Sequence, residues 1–165
     1  MNNPLVEMPV GTADGEFTAR YSETGLVELD FPVGRASSRA EKKQIVPAKF
    51  RGWQRATEVA LQKILVGRPA KKLPPLDWTG RPEFQKSVWR ALQKISSGQT
   101  KSYGEIAAVI GKSKAVRAVG GACGANPIPV LVPCHRALAA NGKLGGFSGG
   151  LDWKRALLAR EAGKI

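Results

Sequence analysis

The tetrapeptide Pro133-Cys134-His135-Arg136 places one of only two cysteines directly before the only histidine of a 165-residue chain. A thiol attacks as its thiolate, and a neighbouring imidazole or positive helix end is the usual device for lowering its pKa. The pair therefore suggests a cysteine nucleophile with a histidine base. A buried cysteine beside a surface histidine is the competing explanation when only these two residues are considered. The surroundings separate the two.

Charge is the first of those surroundings. The chain has 26 Lys and Arg against 13 Asp and Glu, a formal net charge of +13. From Gly80 to Ile165 there are 14 basic and 4 acidic residues, a net +10, whereas residues 1–79 carry 12 and 9. A basic half of this kind is an electrostatic footprint for a polyanion, although charge alone does not distinguish DNA, RNA and anionic membrane. No apolar segment approaches the ~20 residues that cross a bilayer. Met1 to Val10 lacks the basic start of a secretory signal, so two free thiols in a reducing cytoplasm are expected. One histidine and two cysteines exclude a four-ligand zinc site built from those types within one chain.

The elements that must position the Cys-His pair are clearest in the second half. The chain divides near Leu73-Pro74-Pro75, giving an expected N-terminal unit of residues 1–76 and a C-terminal unit of 77–165. Before the division, Phe17–Tyr21 and Leu26–Phe31 read as strands around a Ser22–Gly25 turn, residues 36–49 as a loop, and Arg51–Leu65 as a helix. After it, Pro82 and Glu83 suit a first helical turn, and Phe84, Val88, Ala91, Leu92 and Ile95 form an apolar stripe through Ser96, ended by Gly98. Ser102-Tyr103-Gly104-Glu105 fits a capping box that opens a short helix to Ile110. Beyond Gly111, a second helix is expected from Lys114 to about Gly124, N-capped by Ser113. Two short helices joined by a tight turn read as a helix-turn-helix. The second carries Lys114, Arg117 and many small residues, which would let its backbone approach another surface closely. The expected class is α+β: a small sheet-and-helix unit followed by a mostly helical one containing the helix-turn-helix.

Taken together, these blocks resemble the O6-alkylguanine-DNA alkyltransferases. The matching residues are Ser102 to Ala107, Arg117 to Gly120, Asn126 to Pro129, Pro133 to Arg136, Gly149-Gly150 and Lys154 to Glu161, in family order over about residues 81–163. The resemblance implies direct DNA repair, with an alkyl group moved once and irreversibly from O6 of a flipped guanine to Cys134. His135 would be the base acting through a water, Glu161 would hold its other ring nitrogen, and Asn126 would buttress the turn. Tyr103 would help rotate the target phosphate and protonate the departing base. Arg117 would fill the space left in the stack, and Lys114, Ala118, Gly121 and Arg136 would meet the DNA. Tyr103, Ala137, Phe147 and Ser148 would line the base pocket. The implied partner is double-stranded DNA containing O6-alkylguanine, met by a cytoplasmic monomer with no cofactor, metal or membrane.

Some positions depart from the family pattern. Phe147 stands where a tyrosine is common, Ala137 where a valine is usual, and the N-terminal zinc ligands of some members are absent. These bear on substrate range more than on activity. Three other functions compete. A non-catalytic damage-recognition protein would have no use for Cys134. A transcription regulator would need base-reading side chains that the second helix lacks. A cysteine hydrolase would leave the basic helix-turn-helix without a role.

Overall fold

A computed structural model describes residues 3–34 and 45–163. The architecture is α+β. Three antiparallel strands, β1 (Val6–Thr12), β2 (Gly15–Tyr21) and β3 (Leu26–Asp30), lie in the order β1-β2-β3. Period-two alternation turns Met8, Val10, Phe17, Ala19 and Tyr21 inward. Strand β1 was not expected from the sequence, because Pro9 interrupts it. It occupies the sheet edge, where a proline's missing N–H goes unneeded.

Helix α1 (Ala48–Ile64) covers this sheet. It starts three residues before the expected Arg51, and its buried stripe runs through Phe50, Thr57, Ala60, Leu61 and Ile64. Ala56 and Val59 sit at its flanks, because Thr57 turns inward to meet the Tyr21 hydroxyl at 2.7 Å. Of the expected loop 36–49, residues 36–44 lie outside the described residues. Positions 45–47 are irregular, and Ala48-Lys49 open α1.

The second half packs α2 (Glu83–Gln93), α3 (Tyr103–Val109), α4 (Val116–Gly124) and α5 (Leu151–Glu161) around the segment containing Cys134. Helix α2 ends at Gln93 rather than Ser96. Tight bonds from Lys94 N and Ile95 N close its last turn. Trp89 joins the expected stripe and donates its indole N–H to Ala122 O at 2.9 Å, tying α2 to α4. The apolar interiors of both halves form one contiguous core. No described helix is long and apolar enough to cross a membrane.

Candidate active site

The segment leading to Cys134 is held by one side chain. Asn126 Oδ1 accepts from Ile128 N at 3.0 Å, and its Nδ2 donates to Val132 O at 2.8 Å, so a single amide clips both ends of the turn. Within it Val130 is fully buried with φ at 73°. A β-branched residue in the left-handed region costs roughly 1–3 kcal/mol and persists only where its surroundings impose it. Cys134, His135 and Arg136 follow as one tight 3-10 turn, all buried. Two short parallel strands, β4 (Lys101–Ser102) and β5 (Ala137–Leu138), then pair Lys101 with Ala137 and Ser102 with Leu138. Ser102 is also the N-cap of α3, in a reciprocal capping box with Glu105. That pairing sets Tyr103, the first residue of α3, beside the cysteine turn.

Glu161 arrives from the last residue of α5. Its Oε1 lies 2.9 Å from His135 Nε2, with the histidine side chain 0% and the glutamate 1% exposed. Arg136 grips the same carboxylate, with Nη2 at 2.7 Å and Nε at 3.0 Å, and donates Nη1 to Ile95 O at 2.6 Å. Burial pushes the Glu161 carboxyl up, but the bonds from His135 and Arg136 outweigh it and hold the group at about 2. An ionised Glu161 can only accept, so Nε2 carries the proton and Nδ1 keeps a free lone pair. Nδ1 is buried and makes no hydrogen bond among the described residues. Burial holds His135 below its ordinary range, opposed by Glu161, so the ring is a neutral base.

The thiol is also buried, and burial pushes Cys134 up. Asn126 and the charge on Lys154 pull it back only in part. Lys154 is a feature that sequence reasoning did not single out. Its side chain is completely buried, donating Nζ to Ala137 O at 2.7 Å and to Gly146 O at 3.3 Å. Burial lowers its pKa, countered by the two cysteines. The signal was available: Lys154, Leu157 and Glu161 recur at i, i+3 and i+7, one face of a helix.

The other expected site residues separate into groups. Arg117, Ala118 and Gly121 share the exposed face of α4, with nothing beside the Gly121 α-carbon. Lys114 is exposed but precedes α4. The turn Lys112–Ala115, closed by Ala115 N to Lys112 O at 2.7 Å, uses up the residues expected to begin the helix. Ala115, not Ser113, is therefore the N-cap position, and it caps with no side-chain bond. Gly120 faces inward, where the Tyr103 ring packs at 3.4 Å from where its β-carbon would stand. A β-carbon at Gly145 would collide with the Tyr103 hydroxyl, so two glycines make room for that ring. Ala137 is fully buried beside the turn. Phe147 stacks edge-on against Phe31 at 5.6 Å, and Ser148 is exposed. Ser148 borders a cleft of about 590 Å³ shared with Asn126, Pro129, Phe31, Trp153 and Arg81, whose lining does not include Cys134. Arg136 departs from expectation: its guanidinium is consumed by Glu161 and Ile95 O, so it is not offered to a phosphate.

The geometry has relatives. A family model described as "6-O-methylguanine DNA methyltransferase, DNA binding domain" matches residues 83–163. The methylated-DNA–protein-cysteine methyltransferase of Methanosarcina barkeri is 39% identical over 164 residues, 98% of this chain and 97% of that protein. The protein of the same name from Mycolicibacterium paratuberculosis is 62% identical over 79 residues, so this match spans only 48% of either chain. Among solved structures, Mycobacterium tuberculosis OGT in complex with DNA superposes with a TM-score of 0.74 and 36% identity, covering 95% of this chain and 92% of that one. An O6-methylguanine DNA methyltransferase from Methanococcus jannaschii gives 0.70 and 30%, over 94% and 93%.

Proposed function

The chain belongs to the methylated-DNA–protein-cysteine methyltransferase family, and we propose that it repairs DNA by moving an alkyl group from O6 of guanine to Cys134, once per molecule. The observation that carries this reading is the buried Glu161–His135 pair at 2.9 Å on the turn that bears the thiol. A carboxylate that fixes Nε2–H leaves Nδ1 to receive the thiol proton, through one bridging water. The resting thiol is protonated, because burial raises it, so deprotonation belongs to the reacting complex rather than to the free protein.

In the step itself, Sγ attacks the alkyl carbon, the carbon–O6 bond breaks and its electron pair goes to the guanine. Tyr103 donates the balancing proton; burial first, and the two cysteines next, hold its phenol above the ordinary range, so it is protonated when needed. The products are a thioether at Cys134 and an unmodified guanine. A thioether is a poor leaving group, and the protein stops after one turnover.

A base inside a duplex is out of reach of the thiol, so the guanine is flipped at a cost of roughly a few kcal/mol. Helices α3 and α4 act as the helix-turn-helix that grips the DNA. The small face of Ala118 and Gly121 lets the backbone close on the groove, Arg117 enters the stack, and Lys114 meets phosphate. Affinity from such a basic surface is independent of sequence and falls with salt. The α4 face offers too few long polar side chains for specific base readout. The base pocket is formed by Tyr103, Ala137, Phe147 and Ser148. The boundary between an N-terminal and a C-terminal unit falls at 76/77, and the protein acts as a cytoplasmic monomer without a cofactor. The test is intact mass after mixing with a duplex holding one O6-methylguanine. A gain of one methylene, about 14 Da, mapped to the Cys134 peptide supports the reading. Lesion binding with unchanged mass overturns it in favour of damage recognition.

A further inference from the structure

Glu161 is the last residue of α5, and the last turn of a helix frays because its carbonyls lack intrahelical donors. Here the turn is secured from outside. Arg160 sends Nη1 and Nη2 to Asp14 at 2.9 and 2.8 Å, and Nη1 also to Leu65 O at 2.9 Å. Asp14 lies in the β1–β2 turn and Leu65 at the end of α1, both in the N-terminal half. The carbonyl of Arg160 is covered as well: a β-carbon at Gly67 would collide with it, so α1 exits against the helix end at closest approach. Ser97 Oγ in turn donates to Gly67 O at 3.3 Å. At its start, α5 is held by Trp153, which packs against Phe17 and Phe31 with centroids 5.9 and 5.0 Å away. The N-terminal half thus holds both ends of the helix whose inner face delivers Lys154 and Glu161.

We propose that the N-terminal half is a clamp that sets the position of Glu161, with Asp14 and Arg160 as positioning residues for alkyl transfer. The proposal rests on the alkyltransferase reading and gives the first half of the chain a share in its chemistry. Glu161 and Arg160 are consecutive, so one points inward to His135 while the other points outward to Asp14. Releasing Arg160 frees the backbone of the final turn, and the carboxylate then drifts from Nε2. The groups around the reacting thiol are His135 and Arg136 on its own turn, Lys154 and Glu161 from α5, Cys123 from α4 and Tyr103 from α3. Arg160 is not among them, so any effect of its loss on Cys134 must pass through α5.

The experiment compares wild type with Asp14→Asn, Arg160→Met and Arg160→Lys at a temperature where all are folded. Three readouts are taken: the methyl-transfer rate, lesion-duplex affinity in a Cys134→Ala background, and the pH profile of Cys134 alkylation by iodoacetamide, located by peptide mass. Arg160→Met and Asp14→Asn should slow transfer on the order of 10-fold or more, since small misplacements far from the chemistry have effects of that size. Affinity should change less than about twofold, the alkylation midpoint should move to higher pH, and Arg160→Lys should recover part of the rate. Wild-type rates and profiles in the variants would overturn the proposal, and so would lower melting temperatures with no change in either. If Arg160→Met does not fold, Asp14→Asn and Arg160→Lys decide the matter alone. Iodoacetamide reads Cys134 without DNA, so the pH profile still tests the clamp even if wild type takes no methyl from the duplex, the result that would instead remove the alkyl-transfer reading.

Discussion

Cys123 on the inner face of α4 and Cys134 on the turn after Pro133 are both nearly buried, at 6% and 4% exposed. Burial pushes both thiols up, and the same Lys154 charge pulls both down. They part company over their other neighbours. Cys123 has no hydrogen bond that favours its anion among the described residues; burial first, and the second thiol next, drive it up to about 12. Cys134 has the Asn126 amide to favour its anion and sits next to a neutral imidazole already oriented by Glu161. On the proposed mechanism, reactivity is therefore made by partners rather than by accessibility. A helix interior offers few partners, because its backbone groups are spent on one another, whereas a tight turn held by a side chain leaves polar groups free to face the sulfur.

The contrast can be tested at four strengths. Cys134→Ala should abolish the mass gain entirely, while Cys123→Ala should leave it in place; loss in both would show that the thiols act together. Glu161→Gln keeps the shape but removes the anion that favours the imidazolium, and single-turnover rates should fall about 10²-fold, the scale of general base catalysis. Lys154→Met strands the Ala137 and Gly146 carbonyls and removes the cation. Chemical denaturation should register a loss of about 1–3 kcal/mol, and the iodoacetamide profile of Cys134 should move to higher pH. The smallest effect is on acid stability. Glu161 drops from an ordinary 4.5 to about 2 on folding, so its contribution is complete above pH 4.5 and is lost as pH falls toward 2. His135, held neutral by burial, works in the same sense: the unfolded chain takes up its proton first, and stability declines below about 6.5. Melting curves of Glu161→Gln should show a flatter acid limb than wild type.

Local chemistry explains what could be read in the sequence. The capping box at Ser102 and Glu105 is a four-residue interaction, and α3 begins where those residues place it. The Pro133–Arg136 turn was legible because it gathers the rare residue types of the chain. Longer-range facts were not. Strand β1 depends on Pro9 lying at an edge, which only the assembled sheet defines. The start of α4 depends on a Lys112–Ala115 turn that competes with helix for the same residues. Arg136 looked like a surface cation because its carboxylate partner lies 25 residues away. Its fate was decided by α5, whose face Lys154–Leu157–Glu161 was visible as spacing but not as direction. The α+β class followed from the strand and helix patterns together, whereas the contact of Leu29 N with Pro127 O at 2.9 Å, which joins the sheet to the Asn126 turn, has no local signature.

The bond between Asp14 and Arg160 spans 146 residues. On a growing polypeptide the first partner emerges long before the second, and the bond forms only once the segment between them has been made. Glu161 follows Arg160 by one position, so the histidine meets its carboxylate only after α5 has left the ribosome. Until then the nascent chain carries a thiol with no organised base beside it. The turn that bears Cys134 is thus made before the carboxylate that orients its histidine, and the pair is completed only when α5 has formed.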